Sequence, residues 1–432
     1  MNKLIVILLI MSHSVLAQTQ LTLEEAIRIG LQNNFQVQIS KKQLEIARLN
    51  QRVGVTERFP NVSFDLGQNN LYSNNNSPIN FIRGIYGDNS LNADFNANYT
   101  LYNGNQRNIK TNQLKYISQE NEQQLKNTKA NIIKEIIESY FKALIEKEKS
   151  QVLRETKNLS KLRLIDTKLQ LSLGKASNFE VLRAENSFLI DSSSYLQQDN
   201  TYQVALNKLN MALGADKTKP YILTEKLDIA KDEFNIETLR NKMMSQNNEI
   251  LAKQVETILN QSKIDLVKSQ RYPTIGLNSR FGKSYSSTRF EGNTPIRGNI
   301  SNFTIGLRAS IPIYNGGELK RATNEAIILN KIGELQLGAL KQELSIDLIS
   351  AFTAYQNQLK AVKLNQQLVK NLNSSLQLVK GRLENGFSNA LEYRTIQLEY
   401  VQSNFNYLES MYSLKSYEIE LYRLTGELEK KY

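Results

Sequence analysis

The chain has 432 residues, of which 22% are charged, with a formal net charge of +12, no cysteine and a single histidine, His13. Without cysteine there is no disulfide, no thiolate metal site and no lipid-acceptor thiol. His13 lies in a leader expected to be removed, so the mature chain lacks the usual metal ligands and the usual general base at neutral pH. The Lys and Arg residues are scattered among Glu and Gln without a basic block, which argues for a solvated face and against a nucleic-acid partner.

In chain order, residues 1–17 read as a signal peptide. Lys3 supplies the charge, Leu4 to Met11 the apolar run, and Val15-Leu16-Ala17 the small-residue cleavage site. No other stretch is apolar for about 18 residues, so no transmembrane helix is expected in the mature chain. The first helix opens at Thr22 with Glu25 as a capping box and is predicted to run to about Arg58, where Pro60 stops it. Strands follow. Val62, Phe64 and Leu66 alternate with polar residues, and Leu91 to Leu101 alternate apolar and polar without a break. From Gly104 to about Leu173 no proline interrupts the chain, and Ile132, Ile136, Tyr140 and Leu144 recur at helical spacing. A helix of nearly 70 residues is on the order of 100 Å long. Gly174 breaks it, and a partner returns from about Asn178 to Leu213.

The chain then says the same again. Leu101-Tyr102-Asn103-Gly104 returns as Ile313-Tyr314-Asn315-Gly316, Gly174 as Gly386 and Gly214 as Gly426, all at an offset of 212 residues. Asn33-Asn34 returns as Asn247-Asn248 at an offset of 214, a slip of two residues. A period this long marks a duplicated domain. Repeat one is placed at 18–228, with a β-hairpin at 60–102 and a long helical hairpin at 104–214. Repeat two is placed at 229–432, with a β-hairpin at 273–314 and a helical hairpin at 316–426. The fold class is mainly α with a small β part. Tyr99, Tyr102 and Tyr314 near the strand ends suit an interfacial girdle. Four strands per chain are too few to close a sheet against lipid, so a membrane reading requires oligomerisation. Two copies would make eight strands with a filled lumen, and three would make twelve with room for a channel.

At this point the chain resembles the TolC-type outer membrane efflux protein family over 21–428. The most specific motif lies at the helical turns, where the family carries a pattern close to Gly-x-x-Ser-x-x-Asp-x-Leu-x-Ala. Gly174 to Ala184 match it through Ser177, Glu180 (for Asp) and Leu182. Gly386 to Ile396 keep the Gly and the acid, Glu392, but lack the Ser, Leu and Ala. The resemblance implies a homotrimer with a 12-stranded transmembrane β-barrel in outer membrane lipid. A 12-helix periplasmic tunnel would continue it. It implies an adaptor (membrane fusion) protein docking at the periplasmic tip, an inner-membrane pump of the same system, and location in the outer membrane of a Gram-negative bacterium. The Asn-rich stretches 68–90 and 283–300 would be extracellular loops. The tip would comprise Gly174, Ser177, Glu180, Leu182, Gly386 and Asn389. Glu392 has two readings: one acid of an entrance ring, or a helix N-terminal charge favoured by the dipole. Thr395 stands where a second ring acid would be, so a double ring is not expected. Ser177 and Glu180 first of all cap the returning helix. Gly104, Gly316, Gly214 and Gly426 are read as structural. Segments 215–233 and 427–432 are assigned to a belt outside the tunnel. No catalytic residue, cofactor or resident metal is expected, and no pair of acids stands across a cleft as a carboxylate hydrolase requires. An ungated porin would not need 100 Å helices. A periplasmic or surface coiled-coil scaffold explains the helices but leaves the alternating strands without a purpose. The sequence names no cargo among drugs, dyes, metal ions and polypeptides.

Overall fold

A computed structural model gives the fold and describes residues 19–53, 58–76, 84–214, 221–226, 228 and 233–432. The signal peptide expected at 1–17 and much of the belt segment 215–233 lie outside the described residues. The elements run β1 (Thr19–Leu21), α1 (Leu23–Asn33), α2 (Phe35–Val53), β2 (Asn61–Asn75), β3 (Gly84–Asn103), α3 (Gln106–Ser172), α4 (Asn178–Ala212) and β4 (Tyr221–Leu223). They continue with α5 (Ile236–Gln246), α6 (Asn248–Ser269), β5 (Thr274–Phe290), β6 (Ile296–Ser310), α7 (Glu318–Glu384), α8 (Ala390–Leu424) and α9 (Leu428–Lys431). The chain divides into two compact units. One takes 1–41, 125–248 and 341–432, and the other 42–124 and 249–340. Both draw on both repeats, because α3 and α7 each contribute to the two.

The first unit holds the main apolar core. Ile132, Ile133, Ile136, Ile137, Tyr140 and Leu144 of α3 are buried together with Ala26 and Ile27 of α1 and Leu209 of α4. Adjacent positions such as Ile136 and Ile137 are both sealed, so this part of α3 is covered on more than one face. The Tyr140 hydroxyl donates to the Leu21 carbonyl at 2.8 Å and accepts from the Thr224 and Glu225 amides. It thereby pins a three-residue parallel ladder of β1 and β4 that the sequence reading did not foresee.

Each expected first helix is in fact two. Asn34 and Asn247 adopt extended backbone angles and separate α1 from α2 and α5 from α6. The cause is a partner far along the chain. The Asn34 side-chain amide donates to the Ala212 carbonyl at 3.2 Å, and the Asn247 side-chain amide to the Leu424 carbonyl at 2.9 Å. Each satisfies the end of its own repeat's return helix, whose last carbonyls have no partner within the helix. Gly426, at φ +71°, closes against the kink: a Cβ there would overlap the Gln246 carbonyl. Gly214 approaches Asn33 in the same way, with a Cβ 2.8 Å from its carbonyl oxygen.

The second unit carries a four-stranded antiparallel sheet in the order β2-β3-β5-β6. The described residues of the stretches 68–90 and 283–300, expected as loops, are largely strand. β2 pairs with β3 out to Asn75 and Gly84, and β5 with β6 out to Thr288 and Ile296. Asn, Ser and Gly are poor strand formers in isolation, but here every one of these strand residues stands opposite a register partner on the neighbouring strand, and pairing overrides propensity. In the other direction, Ile313 and Tyr314 lie beyond the end of β6, whereas their counterparts Leu101 and Tyr102 are inside β3, where Tyr102 still pairs with Ile275 of β5.

Candidate channel wall and helical tips

The register of the sheet sorts its side chains. Phe64 pairs with Phe95, Phe95 with Phe281 and Phe281 with Phe303, so one row crosses all four strands as phenylalanine. The Phe64 and Phe95 rings lie 4.7 Å apart. On the same face, two residues along, stand Val62, Ala97, Ser279 and Ile305, then Tyr99, Leu277 and Leu307. Lys283 interrupts this face, with its ammonium 5.1 Å from the Tyr285 ring centroid. The opposite face is polar. Asn61, Asn98 and Asn278 share one row, and Ser63, Asn96, Arg280 and Thr304 the next. Arg280 makes a two-pronged contact with Asp94 at 3.0 and 2.6 Å, and Asn96 donates to Asp65 at 2.7 Å. The apolar face has no cover: Phe64, Phe95, Phe281 and Phe303 are 54, 54, 50 and 67% exposed. Strands β2 and β6 each pair on one side only among the described residues. Among the described residues no helix is long and apolar enough to cross a membrane, and no cluster of acids could hold a metal.

The two helical turns lie in the first unit and are built alike. Gly174 (φ +71°) and Gly386 (φ +75°) reverse the chain. The Gly174 amide donates to the Leu171 carbonyl and the Lys175 amide to Gln170; Gly386 and Phe387 repeat this with Leu383 and Arg382. This double closure is the Schellman arrangement, which needs a left-handed residue at the turn. Ser177 then caps α4. Its hydroxyl accepts from the Glu180 amide at 3.3 Å, and the Glu180 carboxylate accepts from the Ser177 amide at 2.6 Å. That amide, with the Ser177 hydroxyl, holds the Glu180 carboxyl below the usual carboxylate range. Leu182 is exposed.

In the second turn Asn389 does the capping, accepting from the Leu391 and Glu392 amides at 3.0 and 2.9 Å. Glu392 accepts from the Ser388 hydroxyl at 2.7 Å and lies 3.7 Å from the Arg382 guanidinium. Its charge is thus shared with a cation of its own hairpin. The sequence reading missed this Arg382 partner, and it missed a contact between the two return helices. Arg394 of α8 grips Asp191 of α4 at 2.9 and 2.6 Å and also donates to Gln397. Both side chains are largely buried, at 18 and 5% exposure. Nothing local marks this pair, since its members lie about 200 residues apart. The phenylalanine row did carry a signal, because aligning each strand pair as a hairpin brings Phe64 to Phe95 and Phe281 to Phe303.

A sheet with one apolar and one polar face, joined to helices of 67 residues, defines the class of outer-membrane channels with long helical extensions. The model of the family described as outer membrane efflux protein matches the chain twice, over residues 26–215 and 239–427. The chain belongs to that family, whose members are channels of the Gram-negative outer membrane and not enzymes. It is 20% identical over 312 residues to outer membrane protein TolC of Vibrio cholerae, covering 70% of this chain and 69% of that protein. Its fold is similar to that of a membrane protein from Pseudomonas aeruginosa (TM-score 0.77, 17% identity, 94% of this chain and 93% of that one). It is also similar to the Campylobacter jejuni CmeC outer membrane channel (TM-score 0.74, 16% identity, 94% and 86%).

Proposed function

We propose that three copies of the chain close their sheets into one 12-stranded transmembrane barrel and continue it as a helical tunnel. The assembly is a passive exit duct whose tip opens when an adaptor binds, in series with an inner-membrane pump. The observation that carries this reading is the four-stranded sheet with two open edges and an uncovered apolar face. An open edge cannot face lipid, and β6 of one copy beside β2 of the next removes it. From Tyr102 to Leu91 the apolar face follows about eleven residues of β3. At about 3.3 Å per residue and a tilt of about 40° this gives a band of roughly 28 Å, close to the lipid-facing band of such barrels. On the helical hairpin, Leu162, Leu169, Leu189 and Leu196 are exposed, as a face awaiting a neighbouring helix requires.

At the tips, Gly174, Ser177, Glu180 and Leu182 on one turn and Gly386 and Asn389 on the other form the docking surface for the adaptor. Three copies of Glu392 line the entrance, each held beside its Arg382. The scaffold reading is set aside, since it gives the phenylalanine row no occupant. The test uses the absence of cysteine from the chain. Cysteine pairs placed to bridge the tip turns should, once oxidised, abolish current across a planar bilayer together with adaptor-dependent transport, and reductant should restore both. A cross-link that forms and leaves transport unchanged would refute gating by hairpin movement.

A further inference from the structure

At the helix-proximal end of the sheet the second unit gathers cations that have no anionic partner among the described residues. Arg107, in the first turn of α3, lays its guanidinium over the Tyr99 ring, 5.8 Å from the centroid, and donates to the Thr100 carbonyl. Tyr99 belongs to the face that carries the phenylalanine row, so Arg107 stands at the end of the apolar band and on its side. Arg58, just before β2, reaches the same turn: its guanidinium donates to the Thr111 hydroxyl at 3.4 Å, and that hydroxyl donates to the Arg107 carbonyl. Gly104 packs against the Ser269 carbonyl and the Tyr272 Cβ, which seats the end of α6 beside this point. Lys268 and Arg271 flank Ser269 there, and both are exposed.

Among the described residues none of Arg58, Arg107, Lys268 and Arg271 faces a carboxylate. Farther along the helices of this unit the pattern differs, with Arg48 beside Glu122 and Lys253 beside Glu256. Lys268 and Arg271 suit the negative end of the α6 dipole. Arg107 does not suit the positive end of α3, whose first turn holds no acid. Cations gathered from three segments without an internal counter-charge call for an external one. The ground beside them is apolar and ringed by Tyr99, Tyr102 and Tyr272, as at a membrane interface.

We infer that this cluster binds the phosphate groups of anionic glycerophospholipids in the leaflet nearest the helices, with the acyl chains against the adjoining apolar face. Lys and Arg near an anionic surface are attracted in this way. The inference rests on the sheet lying in the membrane. Its test is to reconstitute the full chain in phosphatidylethanolamine vesicles containing phosphatidylglycerol, extract it gently, and measure retained lipid by native mass spectrometry. Phosphatidylglycerol should be enriched several-fold over its share of the bilayer. The neutral variant carrying R58Q, R107Q, K268Q and R271Q should lose that enrichment while still conducting. The charge-keeping variant with R58K, R107K, K268R and R271K should retain it, and inorganic phosphate should not displace the lipid. Should the neutral variant fail to assemble, R58Q and R271Q alone, both at exposed positions, should each lower the enrichment. Equal enrichment in wild type and neutral variants, or displacement by inorganic phosphate, would overturn the inference. Failure of the wild type to insert would instead overturn the membrane placement of the sheet, and the lipid site with it.

Discussion

Four glycines with positive φ do two different jobs. At Gly174 and Gly386 an added Cβ would meet open space, so only the left-handed backbone is at stake. At Gly426 the Cβ would also collide with the Gln246 carbonyl, and at Gly214 it would crowd that of Asn33. Gly174→Ala should therefore cost about 1–2 kcal/mol, the price of that conformation for a residue with a Cβ. Gly426→Ala should cost markedly more and should loosen the α5–α6 kink. Thermal melting of the two variants side by side measures the difference, and equal losses would remove the kink from the account. Ser177→Ala should cost about 1 kcal/mol, felt locally as faster amide exchange in the first turn of α4. The capping box at Ser177 and Glu180 was legible from sequence because every atom it uses lies within four residues. The Asn34 and Asn247 breaks were not, since each depends on a carbonyl 177 or 178 residues away.

Among the elements, α3, α4 and α8 are cross-braced by a charge cluster in which Glu146 and Lys149 are buried and Lys142 and Glu409 remain partly exposed. Glu146 accepts from the Gln198 side-chain amide at 2.6 Å and lies 2.9 Å from Lys142, while Lys149 joins Glu146 to Glu409 of α8. Burial alone would raise the Glu146 carboxyl, but the Gln198 amide and the two ammonium groups outweigh it, and it titrates below its ordinary value of 4.5. Glu409 is lowered in the same way by Lys149 and Lys142, against its own burial. A carboxyl depressed in the folded state lends stability above its unfolded pKa and loses it as pH falls through the folded value. Melting temperature should therefore drop as pH falls below about 4.5, and Glu146→Gln should flatten that acid limb. A profile unchanged by the substitution would place the acid sensitivity elsewhere. The Arg394–Asp191 pair braces α4 against α8 closer to the turns. Removing one partner of a buried pair costs roughly 3–5 kcal/mol. Arg394→Gln should lower stability by that order and raise single-channel current if the return helices must separate for opening. Lys at 394 keeps the charge but not the fork, and should fall between. The long helices were readable from the absence of proline and the 3–4 spacing of Ile132 to Leu144. The full length of the strands was not, because Asn69, Asn70 and Ser90 become strand only through their ladder partners.

For the whole molecule, the features that one chain leaves unresolved are the ones a symmetric assembly resolves. Among the described residues the outer edges of β2 and β6 are open, the phenylalanine row is uncovered, and leucines on the hairpins face outward. Reading the duplication gave two strand pairs, and counting strands against what lipid permits required more than one copy. The choice of three came from family resemblance, since no distance within a single chain encodes it. The mass of the detergent-solubilised protein measured by native mass spectrometry tests the closure of the sheet most directly. The account predicts three chains, dissociating only under conditions that also dismantle the strands. A folded single chain that stays in water without detergent, with the edges of β2 and β6 satisfied from within, would contradict it.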